Sequence, residues 1–449
     1  MNPAARQYVD RIGAKRSSRG ANSANRFFPI VAAIFSLNVL YAELSLAAWE
    51  IRPIATAGFQ YQTNPRYARV NEDEATGTLL GARLPMSFFS DRTQLFLEPR
   101  LVYSFYAEED DKDLEDEDQY LTGRISRQSK RTNYGLSGRY SDVGIRTSEF
   151  ESASPDSPTG GTGGSSFVNA TQKRWQIDPY WAYQFTPLNT VSLNAGYNDV
   201  TYTRTALSSR FDYTNSYASA AVEHVFNQKN KVSINANASQ FDAIEPNSGL
   251  ENDSKTTGLS LIYTYAFSAT LEASANLGWA RTKSEVKRQP IFVDPEFGPI
   301  CSLDFFTVIP CTFKSDVSNF VGGLSLAKKT ERIQYDLSIG QSVSPNSNGS
   351  EVVRRTLRGY MTTDFTERWR GKFGLLMFDQ EDVGDFSQRK RQYLGLNTNL
   401  QWKFTRRWAI RGDYRFTYNS NEDRIAADQP SARNHLFFVG LVYSGDGWR

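Results

Sequence analysis

From Trp49 onward the chain repeats one pattern: stretches of about ten residues in which apolar and polar side chains alternate, joined by connections that are alternately short and long. The stretch from Gln392 to Phe404 shows it most clearly. Leu394, Leu396, Thr398, Leu400, Trp402 and Phe404 fall on one face, and Tyr393, Gly395, Asn397, Asn399, Gln401 and Lys403 on the other. A strand turns successive side chains to opposite faces, so each stretch makes a sheet with one apolar and one polar side. A soluble sandwich buries the apolar side in a core. A transmembrane barrel turns it to lipid and keeps the polar side around a lumen.

Composition separates these two outcomes. The chain is long enough for a large core, yet its mean hydropathy is −0.51, while aromatic residues reach 13%. A barrel gives this result because only every second strand residue needs to be apolar. Past the N-terminal segment there is no apolar run of the ~18 residues a helical span requires. The formal net charge of +2 offers no general attraction for nucleic acid.

The expected fold is therefore all-β: an antiparallel transmembrane β-barrel of about eighteen strands, sixteen being the alternative, with short periplasmic turns and long extracellular loops. Short turns follow the even-numbered strands, as at Ser90-Asp91, Ser268-Ala269 and Thr405-Arg406-Arg407; longer polar connections follow the odd-numbered ones. In the middle of the chain the apolar alternation predicts strands over 231–241, 256–267, 270–282 and 315–327. Both strand ends of the barrel then fall on the turn rim, and its home is the bacterial outer membrane. Residues 1–47 read as a secretory signal peptide. Arg6, Arg11, Lys15, Arg16, Arg19 and Arg26 precede the apolar stretch Phe27 to Ala42, and cleavage is expected near Ala47 or Ala42. An uncleaved helical anchor is the alternative. Residues 48–449 form a single barrel domain.

A hairpin recurs every ~40 residues, the spacing of the repeated aromatic positions that barrels keep at the membrane interface. Phe185, Phe226 and Phe267 precede short turns, as do Phe365 and Phe404, and Trp369 and Trp408 open the strands that follow the last two. Rings at one depth are expected of an interfacial aromatic girdle, since an amphipathic ring prefers the headgroup region. Ordinary aromatic packing in a soluble β-protein would give a similar spacing. The acid–proline pairs Glu98-Pro99 and Asp178-Pro179 sit mid-strand and mark bends or bulges, because proline brings no ladder donor. The last strand, Leu436 to Tyr443, resembles the aromatic closing strand read by barrel-assembly machinery, although Arg449 stands where the terminal aromatic is expected.

Charge is unevenly spread on the polar faces. Alternation turns Arg354, Arg358, Arg370, Lys372, Lys403, Arg411 and Arg415 inward, with only Asp364 and Asp413 as acids on the same strands. Such charges on the lipid face near mid-membrane would cost ~2–4 kcal/mol each, which assigns them to the lumen. A basic lining favours anions. The alternative is internal pairing with Glu98, Asp178, Glu272 and Asp336. The acidic run from Glu108 to Asp118 lacks the spacing of a calcium loop and reads as a solvated outer loop. The Gly-rich loop 151–166 reads as flexible. Cys301 and Cys311 are the only cysteines; in a secreted chain a disulfide between them is expected, two free thiols being the alternative. No metal-ligand spacing, cofactor motif or nucleophile elbow is present, and the two histidines, His224 and His435, are far apart. Catalytic and metal sites are therefore not expected, and no cofactor is implied.

The opening of the barrel domain resembles a known family. Trp49-Glu50-Ile51-Arg52-Pro53, then Gly58-Phe59-Gln60-Tyr61-Gln62-Thr63-Asn64-Pro65, and the stretch from Arg92 through Leu97-Glu98-Pro99 to Tyr106, are similar to the outer-membrane β-barrel porins found with exopolysaccharide systems (β-barrel porin 2-like). The Asp of that family's Thr-Asp-Asn-like turn is absent here. The resemblance implies a barrel tied to polysaccharide export or surface assembly and supplies no catalytic residues. Three functions follow as expectations: a channel for anionic solutes or an exported exopolysaccharide; a non-conducting docking barrel for surface polysaccharide; and, more weakly, an outer-membrane hydrolase. The expected partners are outer-membrane lipid and lipopolysaccharide, barrel-assembly machinery, and exopolysaccharide or its export machinery, but not nucleic acid.

Overall fold

Eighteen antiparallel staves close into a barrel in the computed structural model, which describes residues 48–68, 72–145, 171–203, 211–245, 249–287, 292–294, 298–304, 307–346, 349–383, 390–422 and 431–446. The expected signal peptide and the Gly-rich loop lie outside the described residues.

Numbered along the chain, the staves are β1 (Ala48–Ile51 and Ile54–Gln62), β2 (Ala75–Arg83 and Met86–Phe89), β3 (Thr93–Tyr106), β4 (Asp116–Gln128), β5 (Thr132–Gly144), β6 (Thr171–Thr186), β7 (Asn189–Tyr202), β8 (Asp212–Val225), β9 (Asn230–Glu245), β10 (Leu250–Ser268), β11 (Leu271–Lys287), β12 (Thr312–Lys329), β13 (Ile333–Pro345), β14 (Glu351–Asp364), β15 (Trp369–Asp382), β16 (Lys390–Lys403), β17 (Trp408–Glu422) and β18 (Ala432–Ser444). Each pairs with its neighbours in sequence, and β18 pairs with β1 from Ile54↔Ser444 to Gln62↔Leu436. That pairing removes the sheet edges, so every ladder group can be satisfied within the wall.

The seam closes tightly. Gly58 stands opposite Gly440, and a Cβ on Gly58 would overlap the Val439 carbonyl oxygen. Prolines shape the neighbouring wall. β1 is broken at Arg52-Pro53 and β2 at Leu84-Pro85, and the backbone N–H of Arg52 donates to the Pro85 carbonyl (3.0 Å). In β6 the ladder to β7 skips Asp178 and Pro179 without changing register. Pro99, by contrast, stays in a continuous β3 and pairs with Leu121.

The outward face is apolar and open to its surroundings. Phe59 is 73% exposed and Trp279 62%, with Leu277, Leu324 and Val439 close behind. A continuous exposed apolar band around a closed barrel has no stable place in water, whereas lipid satisfies it. The protein is an outer-membrane barrel. Even-numbered staves end in turns of a few residues, and the odd-numbered staves lead into the remaining connections. In outer-membrane barrels the turn rim is periplasmic.

Two expectations are corrected at the other rim. The middle staves run further than alternation predicted: β9 reaches Glu245, β10 starts at Leu250, β11 reaches Lys287 and β12 starts at Thr312. Gly249 and Gly349 hold positive φ (67° and 77°), and the backbone N–H of Gly249 donates to the Glu245 carbonyl (2.8 Å) and that of Asn346 to the Ser350 carbonyl (2.8 Å). Hydrophobic alternation ends where the bilayer ends, because Asp242, Asp253, Lys283 and Glu285 occupy outward positions, but the hydrogen-bonded ladder continues. The long connection between β11 and β12 also holds its own three-stranded sheet (Phe292–Asp294, Gly298–Asp304, Thr307–Pro310).

Candidate functional site in the lumen

Side chains directly opposite each other on paired strands share a face, so the register traces the lumen wall row by row. From the turn rim outward, one row runs Asp364, Arg370, Gln401, Arg411 and Gly440; the next Thr362, Lys372, Asn399 and Asp413; the next Tyr360, Gly374, Asn397 and Arg415. Arg358 lies one row further out beside Leu376, and Arg354 two rows beyond it beside Gln380. Lys403 sits next to the turn, opposite Ala409. The register thus places Arg354, Arg358, Arg370, Lys372, Lys403, Arg411 and Arg415 on one face, opposite to the face carrying Trp369, Leu396, Leu400 and Ile410.

These cations differ in their surroundings. Arg370 forks onto Asp364 (Nε–Oδ1 2.6 Å, Nη2–Oδ2 3.1 Å). Arg411 pairs with Asp413 (2.7 Å). Arg354 donates to Gln380 Oε1 (2.9 Å) and lies over the Phe378 ring, 4.7 Å from its centroid. Arg358 is exposed and Arg415 half-buried, and among the described residues neither is in an ion pair. Of the acids considered as counter-charges, Asp178 accepts from Tyr217 (2.8 Å) and Gln176 (2.9 Å) and Glu272 faces Lys231 (4.0 Å), whereas Glu98 stands opposite Thr122 and Asp336 opposite Tyr360.

The register adds cations that the sequence analysis did not single out. Arg391 points inward, buried, donating to Asn419 (2.8 Å) and flanking Phe378; alternation from Tyr393 would have found it. A second basic group lies on β2 to β6. Arg83 stands opposite Arg100, whose guanidinium covers Tyr120 at 4.7 Å; Arg124 faces Ser137; Arg139 faces Gln176; and Arg174 donates to Asn198 (2.6 Å). The inward positions of β7 to β13 are instead mainly Ser, Thr and Asn, such as Ser192, Asn194, Asn237, Ser260, Asn276 and Ser325. One side of the lumen is basic and the other is rich in hydroxyl and amide groups, with Glu223, Glu272 and Asp336 among its inward positions.

The loop-rim end of the lumen is packed and the turn-rim end is open. Three clusters fill the former. Tyr67, between β1 and β2, is buried against Leu376, Phe378, Tyr393 and Ala432, and holds a left-handed backbone (φ 49°), uncommon for a residue other than glycine. Its neighbour Arg66 binds Asp113 (2.5 Å) and Asp111 (3.1 Å), and donation to Asp113 raises the Arg66 pKa further above its ordinary value. The acidic run is therefore a solvated loop only in part: Glu108, Asp113, Glu115 and Glu117 are exposed. Glu109–Leu114 forms a short 3-10 helix, Asp111 is buried, and Leu114 packs on Ala75 and Tyr106. In the third cluster Phe211 packs with Val200, Tyr202, Tyr213 and Phe241. Gly349 lies against the Phe211 ring and accepts from Asn252 Nδ2 (2.5 Å). Glu351 of β14 accepts from Thr256 of β10 (2.8 Å), a bond between staves that are not neighbours and one that therefore spans part of the lumen.

The expected girdle residues Phe185, Phe226, Phe267, Phe365, Trp369, Phe404 and Trp408 are all exposed beside the turns. Their rings meet aromatic neighbours: Phe267 on Tyr265 (4.8 Å), Trp369 on Trp402 (5.9 Å), Trp408 on Tyr443 (5.1 Å). His224 bonds Asn189 (2.8 Å) and His435 bonds the Tyr414 hydroxyl (3.0 Å), both at outward positions. Among the described residues no group of three His, Cys, Asp or Glu side chains is arranged to hold a metal. Cys311 takes part in a disulfide; the side chain of Cys301, the other cysteine of the sequence, is outside the described residues.

No protein-family model matches the chain, and no curated protein matches it. Among solved structures it is similar to the ferric-catecholate import receptor Fiu of E. coli K12 (8% identity, 88% of this chain and 81% of that chain, TM-score 0.44). It is also similar to the siderophore receptor PirA from Pseudomonas aeruginosa (10%, 88% and 80%, 0.40) and to a mutant of the ferric enterobactin receptor PfeA from the same organism (7%, 88% and 80%, 0.45). At these values the likeness carries no argument about what this barrel binds.

Proposed function

We propose that the barrel is a channel for anionic solutes and that the segments packed into its loop-rim mouth control access. One observation carries this reading: the inward face of β14 to β17 presents eight cations, Arg391 included, against Asp364, Asp382, Asp413 and the lumen-spanning Glu351. Cations along one wall lower the energy of an anion in transit without binding it tightly enough to stop it. The exposed cations near the turn rim, Arg370 (paired with Asp364) and Lys403, form the periplasmic vestibule; Arg358 stands deeper, beside Leu376, where Tyr67 begins the constriction that Phe211 and Gly349 complete. An exported acidic polysaccharide is one anion that suits the two walls: carboxylates against the basic side, hydroxyls against Ser, Thr and Asn. The link to exopolysaccharide systems rests on the resemblance of Trp49 to Pro65 and Arg92 to Tyr106.

A second reading, a non-conducting barrel that docks surface polysaccharide, is favoured by the packed mouth. Planar-bilayer recording of the refolded protein under a salt gradient separates the two. Steady conductance with a reversal potential on the anion-selective side supports the channel. A folded barrel that stays silent, even after Gly349 is replaced to loosen the mouth, removes it and leaves the docking role.

A further inference from the structure

The outside of the barrel carries charge where β10 to β12 leave the apolar belt. On β11 the outward positions run Leu277, Trp279, Arg281, Lys283, Glu285, and the change from apolar to charged falls after Trp279. Leu259 on β10 and Phe320 on β12 mark the same level. Just beyond it, Lys283 stands directly opposite Lys255 on one side and Asp316 on the other. Arg281 forks onto Asp316 (2.7 and 2.6 Å), and Lys283 reaches the same carboxylate at 4.0 Å. At this level three cations share one acid, and among the described residues Lys255 is in no ion pair. Like charges directly opposed across a ladder destabilise it. One row further out stand Asp242, Asp253 and Glu285. Glu285 is engaged by Lys287 (3.5 Å) and Lys314 (3.7 Å); Asp242 acts on Lys255 at longer range without an ion pair, so the inner row, three cations against Asp316, stays net positive.

We propose that Lys255, Arg281 and Lys283 form a docking surface for the phosphate groups of an anionic outer-leaflet lipid. The level is right: an exposed tryptophan below and flexible cationic side chains above mark the headgroup region. The rim is right as well, since the loop rim faces the outer leaflet. The charge is complementary, and a phosphate between Lys255 and Lys283 relieves the repulsion that the register imposes. The surface is on the outside of the wall and is independent of the channel reading.

The test uses the full chain refolded into phosphatidylcholine nanodiscs carrying a small fraction of diphosphoryl lipid A or, separately, monophosphoryl lipid A. Bound lipid A is counted by native mass spectrometry. The wild type is expected to retain the diphosphoryl form preferentially. Lys255→Gln with Lys283→Gln is expected to weaken that retention by roughly fivefold for each lysine removed. Lys173→Gln, at an outward position on β6, is expected to bind as wild type. A heat-modifiability gel confirms that each variant is folded, and unchanged conductance separates the result from the lumen reading. Equal retention by the double variant, or equal loss in the Lys173 variant, overturns the proposal.

Discussion

Reversing Arg358 and Arg415 tests the basic wall where its charge is least compensated. Arg370 and Arg411 already spend their field on Asp364 and Asp413, so their removal unpairs an acid as well as deleting a cation. Arg358 and Arg415 have no such partner among the described residues, and each faces the lumen two rows or less from the other. An anion passing about 6 Å from one unit charge gains roughly 0.7 kcal/mol at the dielectric constant of water. Reversal to Glu converts that gain into an equal cost, a change of about 1.4 kcal/mol, or about tenfold in local anion occupancy. Salt screens it: the Debye length is about 10 Å at 0.1 M and about 3 Å at 1 M. Reversal potentials across a potassium chloride gradient at low salt should therefore move toward cation selectivity in Arg358→Glu and Arg415→Glu, further in the double variant, and much less at molar salt. Conducting variants with unchanged selectivity at low salt would refute the assignment of these side chains to the ion path.

Other consequences are independent of that one. Gly349→Val places a β-branched residue at φ 77° with its Cβ overlapping the Phe211 ring, a strain of about 1–3 kcal/mol; single-channel conductance should rise as the mouth loosens, and an unchanged conductance in a folded variant counts against the constriction. Leu396→Arg puts a guanidinium on the lipid face, where it costs ~2–4 kcal/mol near the midplane; the urea midpoint of the refolded barrel should fall, and an unaltered midpoint would mean that this face does not meet lipid. Beyond β18, Asp446 accepts a hydrogen bond from Arg407, which together with the charge of Arg407 and Arg406 holds its carboxyl below the usual range. A depressed carboxyl contributes stability that is present above its unfolded value of about 3.9 and is lost as pH falls through the folded value. A carbon-detected NMR titration should place the Asp446 midpoint below that value in the wild type, and a midpoint at or above it would exclude the contact.

The barrel was legible because its physics is local. Each of Leu394, Leu396, Leu400 and Trp402 must face lipid and each of Asn397, Asn399 and Gln401 must not, and a period of two writes that requirement into consecutive residues. The same alternation turned the seven cations of β14 to β17 inward without any knowledge of their neighbours. It failed where the membrane no longer imposes it: the outer ends of β9 to β12 carry charge at outward positions, so the staves continue by backbone pairing alone. The buried part of the acidic run is invisible to alternation for a related reason. Nothing near Asp111 or Leu114 in the chain shows that Arg66, Ala75 and Tyr106 wait beside them.

Tertiary structure decided everything that depends on two distant segments meeting. Which cations are neutralised, that Tyr67 lies on Phe378 and Tyr393, that Glu351 reaches Thr256, and that Lys255 opposes Lys283 all follow from closure and register. Those pairings join residues whose separation in the chain carries no periodic signal. A lipid-facing wall and a polar lumen are written in the alternation of the chain, since solvent acts on each residue separately; the contents of that lumen were set only when the wall closed.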